Sequence, residues 1–429
     1  MEMRPRRSPL RTSLLVLTLG AMLAACGRKK RLDVADTLTA SPPAVAGVDG
    51  RLAKTLDSIA AAAISHNAAS GVAIAVGRYG RLIHLRGYGH TDWAAGSDAV
   101  NDSSLFDLAS LTKVIATTTA AMLLEEGKQL DLDKPVHFYV PELKAKPKAV
   151  ITSRMLLTHS AGFEAGAPLY KKYRGRAAYL KQINARKLVY KPGTGATYSD
   201  WDMVVLQAVI ERITHTTLDS VVAQRVFTPL GMRDTRFTPN LADAQLRQRI
   251  VATEIDSARG GLLRGTVDDQ NAWALGGVAG HAGLFSSARD LAVFAQFLLD
   301  GGVYHNRQIV SPETLARWTA RQSALSSRAL GWDTPAPGAS SGRFSSPRSF
   351  GHTGFTGTSL WLDPERGIFV VLLMNRINSR GASELHLQVR RDVIDAVQSA
   401  ILDAPLIGWE KRLTRAAGDS VRSQHPAGP

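Results

Sequence analysis

The sequence predicts an α/β fold: a mainly antiparallel sheet built from both ends of the chain and flanked by helices, with a largely helical domain inserted. Three observations predict it. Early in the chain, "GVAIAVG" and "LIHLRGYG" flank the turn "RYGR", reading as two strands of a hairpin. Late in the chain, "TSLWLD" and "GIFVVLLMNR" flank "PERG" in the same way. Between them, roughly from 130 to 270, there are few β-branched alternating runs, and the chain reads as helix and loop. One sheet drawn from both ends, around a helical middle, accounts for this order.

The elements follow in sequence. Residues 1–26 open on a basic stretch, "MEMRPRRSPLR", then the apolar "TSLLVLTLGAMLAA", which is of signal-peptide length and too short for a comfortable membrane span. It closes on "LAAC", placing the only cysteine, Cys26, behind small residues. This resembles a bacterial lipoprotein signal, which implies lipidation of Cys26 and an exported, membrane-anchored chain on the periplasmic or cell-envelope side. Gly27 follows where Asp would signal inner-membrane retention, so the outer membrane is the preferred destination. A lone cysteine allows no intramolecular disulfide. Residues 27–50 carry Ser-Pro-Pro and no sustained periodicity, as expected of a flexible linker. A single domain is expected over 51–405 and a flexible tail over 406–429.

Within that domain, Leu52, Leu56, Ile59, Ala60 and Ala63 recur at helical spacing. The segment from Ser110 to Glu126 is a helix stopped by Gly127. "SSARDLAVFAQFLLDGG" is a helix with a Ser287–Asp290 capping pattern. The final helix, about 383 to 402, carries Leu385, Val389, Val393, Val397 and Ile401 four residues apart.

The chain has 429 residues, 45% hydrophobic and 21% charged, an ordinary globular composition. Its net charge of +15 comes with no basic repeat, aromatic-basic stripe or zinc pattern, so no nucleic-acid partner is expected. Attraction to an anionic envelope surface, or solubility, is the plainer use of that charge.

The chemistry starts at "SLTK", 110 to 113. Residues three apart share a helix face, so Lys113 can stand beside the Ser110 hydroxyl. A serine needs an adjacent base, and a lysine amine serves only if its pKa is lowered. Taken alone, the pair is equally a polar helix entrance. Tyr198, in the Gly/Ser-rich loop "KPGTGATYSDWD", could present its hydroxyl to a site or be a surface tyrosine. His352, in "SFGHTGFTG", could line a site or be structural, while the glycines around it allow close approach of a ligand to a strand.

Ser-x-x-Lys, then Tyr-x-Asp, then His-Thr-Gly, in this order, resemble the three motifs of the serine β-lactamase and penicillin-binding-protein superfamily. Its class C branch, with D-alanyl-D-alanine carboxypeptidases and esterases, is the nearer resemblance. "LLTHSAGF", "FTPLGMRDTRF" and "GGVAGHAGLFSSARDLAVFAQ" extend it over about residues 50 to 405. The resemblance implies a β-lactamase/transpeptidase-like fold and a serine hydrolase that forms an acyl-enzyme on ester, amide or β-lactam carbonyls, with neither metal nor cofactor. It implies Ser110 as nucleophile, Lys113 and Tyr198 sharing the proton, and the N–H groups of Ser110 and Phe355 as oxyanion hole. Asp200, His352, Thr353, Gly354 and Phe355 would contact substrate. His159, in "LLTHS", matches a structural loop and is not expected in the site.

Two residues depart from the family pattern. Asp200 replaces an Asn whose amide would donate to a substrate carbonyl; an ionised Asp only accepts. It either keeps Lys113 protonated or points away. His352 replaces a Lys and attracts a carboxylate less, increasingly so as pH rises through the histidine pKa. Ester hydrolysis is therefore expected to exceed β-lactam hydrolysis. The alternatives are a peptidoglycan D,D-carboxypeptidase and, from a different class, a catalytically weak cell-wall binding protein.

Overall fold

The structure is a computed structural model and describes residues 38–408 except Ser383. The start of the chain gives the sheet three strands: β1 Thr39–Ala40, β2 Gly71–Arg78 and β3 Arg81–Gly89. The end gives three more: β4 Phe350–Thr353, β5 Ser359–Asp363 and β6 Ile368–Met374. Their order is β1-β3-β2-β6-β5-β4, every pairing antiparallel except β1 with β3. The β2–β6 seam, from Val72 opposite Met374 to Arg78 opposite Ile368, joins the two ends of the chain.

Strand β6 shows why its sequence is apolar throughout. Ile368, Val370, Leu372 and Met374 enter one core, and Phe369, Val371 and Leu373 enter the other. Side chains alternate across a strand, so a sheet covered on both faces needs a continuous apolar run. Helices α1 (Leu52–Ser65) and α6 (Leu385–Ser399) pack together on the first face. Helix α5 (Ala288–Leu299) covers the second, with Ser287 Oγ accepting from Asp290 N as its cap. Helices α2 (Thr119–Glu126), α3 (Arg176–Ala185) and α4 (Asp200–Thr214) belong to the long insertion between β3 and β4, which shares the second core. Both cores are closed by residues between Leu38 and Ile401.

The expected α/β fold and both hairpins are present. Three details differ. The expected linker over 27–50 is folded from Leu38 onward: Leu38 is fully buried, Thr39 and Ala40 pair with Arg81 and Leu82, and Val48 bridges to Ile401. A two-residue strand is too short to show a period, so the sequence hides it. The helix after Ser110 begins as a π-helix, Lys113–Thr118, before α2, and all six π-helical residues are buried. His352 and Thr353 sit in an edge strand, β4, which the two expected hairpins do not include. Cys26 and most of the expected tail lie outside the described residues. Among the described residues, no helix is long and apolar enough to cross a membrane.

Candidate active site

Ser110 stands at a tight corner. Ala109 before it has φ +45°, a left-handed conformation that a side chain disfavours. Asp107 holds the corner by accepting from Ala109 N (2.8 Å) with Oδ1 and from Asp268 N (2.7 Å) with Oδ2. The β4–β5 turn clasps the same segment: Thr356 Oγ1 donates to Asp107 O (2.6 Å) and Thr358 Oγ1 to Leu108 O (3.0 Å). Gly354 is required there, since a Cβ would lie 2.1 Å from Thr358 Oγ1 and 2.3 Å from Leu108 O. Neither the Ser110 nor the Phe355 N–H makes a backbone hydrogen bond among the described residues, so both are available to a developing oxyanion.

Lys113 is fully buried. Its Nζ donates to Ser110 Oγ (2.9 Å) and to His281 O (3.1 Å), and pairs with Asp200 Oδ1 at 2.8 Å. These acceptors, with the Tyr198 oxygen that also bonds the amine, leave no place for the lone pair of a neutral lysine. Burial works against that charge, but Asp200 and Tyr198 together outweigh it and raise the lysine above its ordinary pKa. Of the two dispositions expected for Asp200, pairing with Lys113 is the one found.

Asp200, Asp269 and His281 are the group among the described residues whose atoms could together hold a metal ion, lying within 4.8 Å of one another. They already have partners: Asp200 holds Lys113, and Asp269 Oδ1 meets His281 Nε2 at 2.9 Å and accepts from Ala272 N at 2.7 Å. Burial would raise the Asp269 carboxyl, but His281, the Ala272 N–H and Lys113 hold it well below the usual range. The set reads as counter-charge to the lysine.

Tyr198 precedes the N-cap of α4, where Ser199 Oγ accepts from Trp201 N. Asp200 N donates to Ala165 O (2.9 Å), and Tyr190 OH donates to His159 O (2.9 Å) and accepts from Thr197 N (2.9 Å). The Tyr198 ring lies 4.7 Å from His159 and 5.8 Å from His352, with Lys113 Nζ and the Arg328 guanidinium 4.9 and 5.0 Å from its centre. His159 stays beneath this loop, paired with Asp202 (Nδ1 to Oδ2, 2.8 Å). Burial drives the histidine pKa down and the aspartate pKa up, so it works against the charged form of each.

His352 is buried, with Nδ1 against Thr353 O at 2.8 Å. Burial, then the charges of Arg328 and Lys113, push it well below the ordinary histidine pKa. It is therefore already neutral near pH 7, and the expected loss of carboxylate attraction through an ordinary histidine titration does not arise.

Ser110, Tyr198, Asp200, His352, Thr353, Gly354 and Phe355 all line one cleft of about 550 Å³, with Lys113 beneath it. Sequence reasoning missed Arg328, Arg376 and Arg390, which also line it. Arg390 Nη2 donates to Gly354 O (2.5 Å) and Thr358 O (3.0 Å); Arg376 Nε donates to Phe355 O. Both brace the turn that carries Phe355. Asp268 was missed too. Burial, then Asp107 and its other acidic neighbours, push its carboxyl up to about 8. The one signal in the sequence was Asp107, two residues before the strained Ala109, where an Asp can turn the backbone.

A serine beside a lysine, with a tyrosine and open N–H donors around one cleft, is the equipment of an acyl-transferring hydrolase. The Beta-lactamase family model matches residues 56–393, and the chain belongs to that family. A relative from Salmonella agona (strain SL483), provisionally assigned as a D-alanyl-D-alanine carboxypeptidase, is 34% identical over 336 residues, 72% of this chain and 76% of its own. Two solved structures share the fold. EstCE1, described as a hydrolase with promiscuous acyltransferase activity, has a TM-score of 0.66 and 23% identity, over 80% of this chain and 98% of its own. The D-alanine carboxypeptidase AmpC from Burkholderia cenocepacia has a TM-score of 0.62 and 22% identity, over the same shares. The protein is a serine hydrolase of the β-lactamase type, acting through an acyl-enzyme.

Proposed function

We propose that Ser110 is acylated by substrates ending in a carboxylate, of the D-alanyl-D-alanine peptide type, and that Tyr198 rather than Lys113 relays the proton. The saturated ammonium of Lys113 carries the proton assignment. Because it donates to Ser110 Oγ, it cannot also accept from it. Ser110 Oγ attacks the carbonyl carbon, its proton passes to the Tyr198 oxygen, and the Tyr198 proton passes to the leaving amine. The oxyanion rests on the Ser110 and Phe355 N–H groups, and the C–N bond breaks to leave the acyl-enzyme. Water then attacks, gives a proton back through Tyr198 to Ser110 Oγ, and releases the acid.

The cleft's charge supports the substrate class. Lys113 neutralises Asp200, Asp269 is bonded to His281, Asp268 is largely protonated at pH 7 and Asp333 faces Arg328 at 3.9 Å, while Arg376 and Arg390 add positive charge to the cleft. The carboxypeptidase assignment of the Salmonella relative agrees. The neutral His352 favours a second reading, an esterase for uncharged acyl groups. The test compares kcat/KM for a D-Ala-D-Ala peptide, its C-terminal amide and a nitrophenyl acetate, with Ser110→Ala as control. The free acid should exceed the amide about tenfold or more, as for a charge-assisted contact; equal values would favour the esterase. Turnover by Ser110→Ala equal to the wild type would remove Ser110 as nucleophile, and no turnover of any of the three by the wild type would leave the weak cell-wall binder as the reading.

We also propose export and lipidation at Cys26, with outer-membrane anchoring, on the strength of the basic start, the apolar run and "LAAC". Mass spectrometry should find acyl chains on Cys26, and Cys26→Ala should release the protein from the membrane fraction.

A further inference from the structure

The charge of this chain is unevenly placed. Between 165 and 199 there are eight Lys and Arg residues and no Asp or Glu. Part of this stretch lines a surface groove of about 570 Å³ together with the segment around Lys148. Lys146, Lys187 and Lys191 line it, exposed, with no acidic partner among the described residues. Lys148 lies at its floor, 5% exposed, its Nζ donating to Asn184 O (2.9 Å) and Arg186 O (2.6 Å) with no carboxylate in reach. Burial lowers its pKa without a compensating anion. Two of the eight, Arg176 and Arg186, already meet Glu211 and Glu164; the exposed lysines, among the described residues, do not, and like charges held together cost free energy unless an anion is met.

The same region exposes large apolar side chains. Phe138, Val150 and Val189 are each more than half exposed. They are close together through the chain: His137 Nδ1 meets Ala149 O at 2.9 Å, beside Phe138 and Val150, and Lys148 reaches Arg186 O, three residues before Val189. Lys134 Nζ sits 4.8 Å from the Phe138 ring centre. Exposed apolar side chains with lysines near them, Lys134 at Phe138 and Lys187 and Lys191 flanking Val189 in the chain, suit the interface of an anionic bilayer, where the former enter the headgroup boundary and the latter meet phosphates. A soluble polyanion needs only the lysines.

We propose that this face, around Lys146, Lys148, Lys187, Lys191, Phe138 and Val189, docks the folded domain onto an anionic lipid surface. It does so independently of any anchor at Cys26. Tyr190, which lines the groove, also accepts from Thr197 N beside Tyr198, so the groove and the catalytic loop share a residue.

The experiment uses residues 34–429, which contain every residue of both cores, with sedimentation on phosphatidylglycerol–phosphatidylcholine vesicles and on phosphatidylcholine alone. Binding should require the anionic lipid and weaken with salt. K146Q/K187Q/K191Q should lower partitioning on the order of a hundredfold, about fivefold per lysine. F138S/V189S should weaken vesicle binding but leave binding to soluble polyphosphate unchanged. Nitrophenyl acetate turnover, kept by both variants, shows that they are folded. Equal binding to neutral vesicles, or wild-type binding by the triple variant, would overturn the proposal. So would polyphosphate binding without vesicle binding, which would make the surface one for a soluble polyanion.

Discussion

Asp200→Asn separates a buried ammonium from its counter-ion while keeping the hydrogen bond, since an amide oxygen can still accept from Lys113. At 2.8 Å and an effective dielectric of about 20, the pair attracts by about 6 kcal/mol. Desolvation offsets much of this, and breaking one side of such a pair typically costs about 3–5 kcal/mol. We expect a loss near the lower bound, about 3 kcal/mol at pH 7, because the lysine can escape by deprotonating. The sign of the pH dependence is the decisive feature. In the wild type, Lys113 is raised above its unfolded value, so its contribution is complete below about pH 10.4 and is lost only as pH rises through the folded pKa. In the variant, burial acts unopposed by Asp200, and the folded pKa falls below 10.4. Between those values the unfolded chain binds more protons, so the variant gains stability as pH rises. Urea unfolding at pH 7, 8, 9 and 10 should show the gap between the chains closing. Groups common to both cancel in the difference. A gap constant from pH 7 to 10 would refute the account, for it would mean that Asp200 does not control the charge on Lys113.

Tyr198→Phe should lower kcat about 10²- to 10⁴-fold with little change in KM, as removal of a proton relay does, read by steady-state kinetics on a nitrophenyl ester. Gly354→Ala should lower kcat/KM about a hundredfold or more, because its Cβ would strike Leu108 O and Thr358 Oγ1 and displace the turn that carries the Phe355 donor, with Tm falling as well. Asp268→Asn should gain stability relative to wild type as pH rises from 4 to 8. The folded Asp268 pKa of about 8 lies above its unfolded value, so the wild type loses stability across that window and the variant does not; thermal melts at both ends check it.

The fold was legible wherever a period was long enough to be read. Strand β6, buried on both faces, and α6, with an apolar residue every fourth position, declare themselves locally. Strand β1 does not, because two residues carry no period and its partner, β3, lies some forty residues on. The nucleophile segment was legible by its motif, but its restraint was not. Thr356 and Thr358 reach Asp107 and Leu108 across about 250 positions, and nothing in either segment names the other. Arg328, Arg376 and Arg390 were hidden for the same reason. On a chain with 52 Lys and Arg residues, a cleft arginine looks like any surface arginine until the fold gathers it.

The two departures from the family motifs are best understood together. A lysine at 352 would be buried in β4, close to Tyr198, with the charges of Lys113 and Arg328 nearby. With Asp200 present, Lys113 stays charged, and a further ammonium would face it in a space with little water. With Asn at 200, Lys113 is free to become neutral, and the space then tolerates a charge at 352. His352 and Asp200 thus keep the number of cations at the site the same as Lys and Asn would. His352→Lys alone should be strongly destabilising, by several kcal/mol as for an unpaired buried charge, and Asp200→Asn alone by about 3 kcal/mol. The double variant should lose less than their sum, with a coupling of about 1–3 kcal/mol. It should also regain attraction for carboxylate substrates at pH 7, where the wild-type His352 is neutral. Losses that add to within about 0.5 kcal/mol would show that the two positions are independent. The exchange of Asn for Asp would then need an explanation that does not pass through the charge on Lys113.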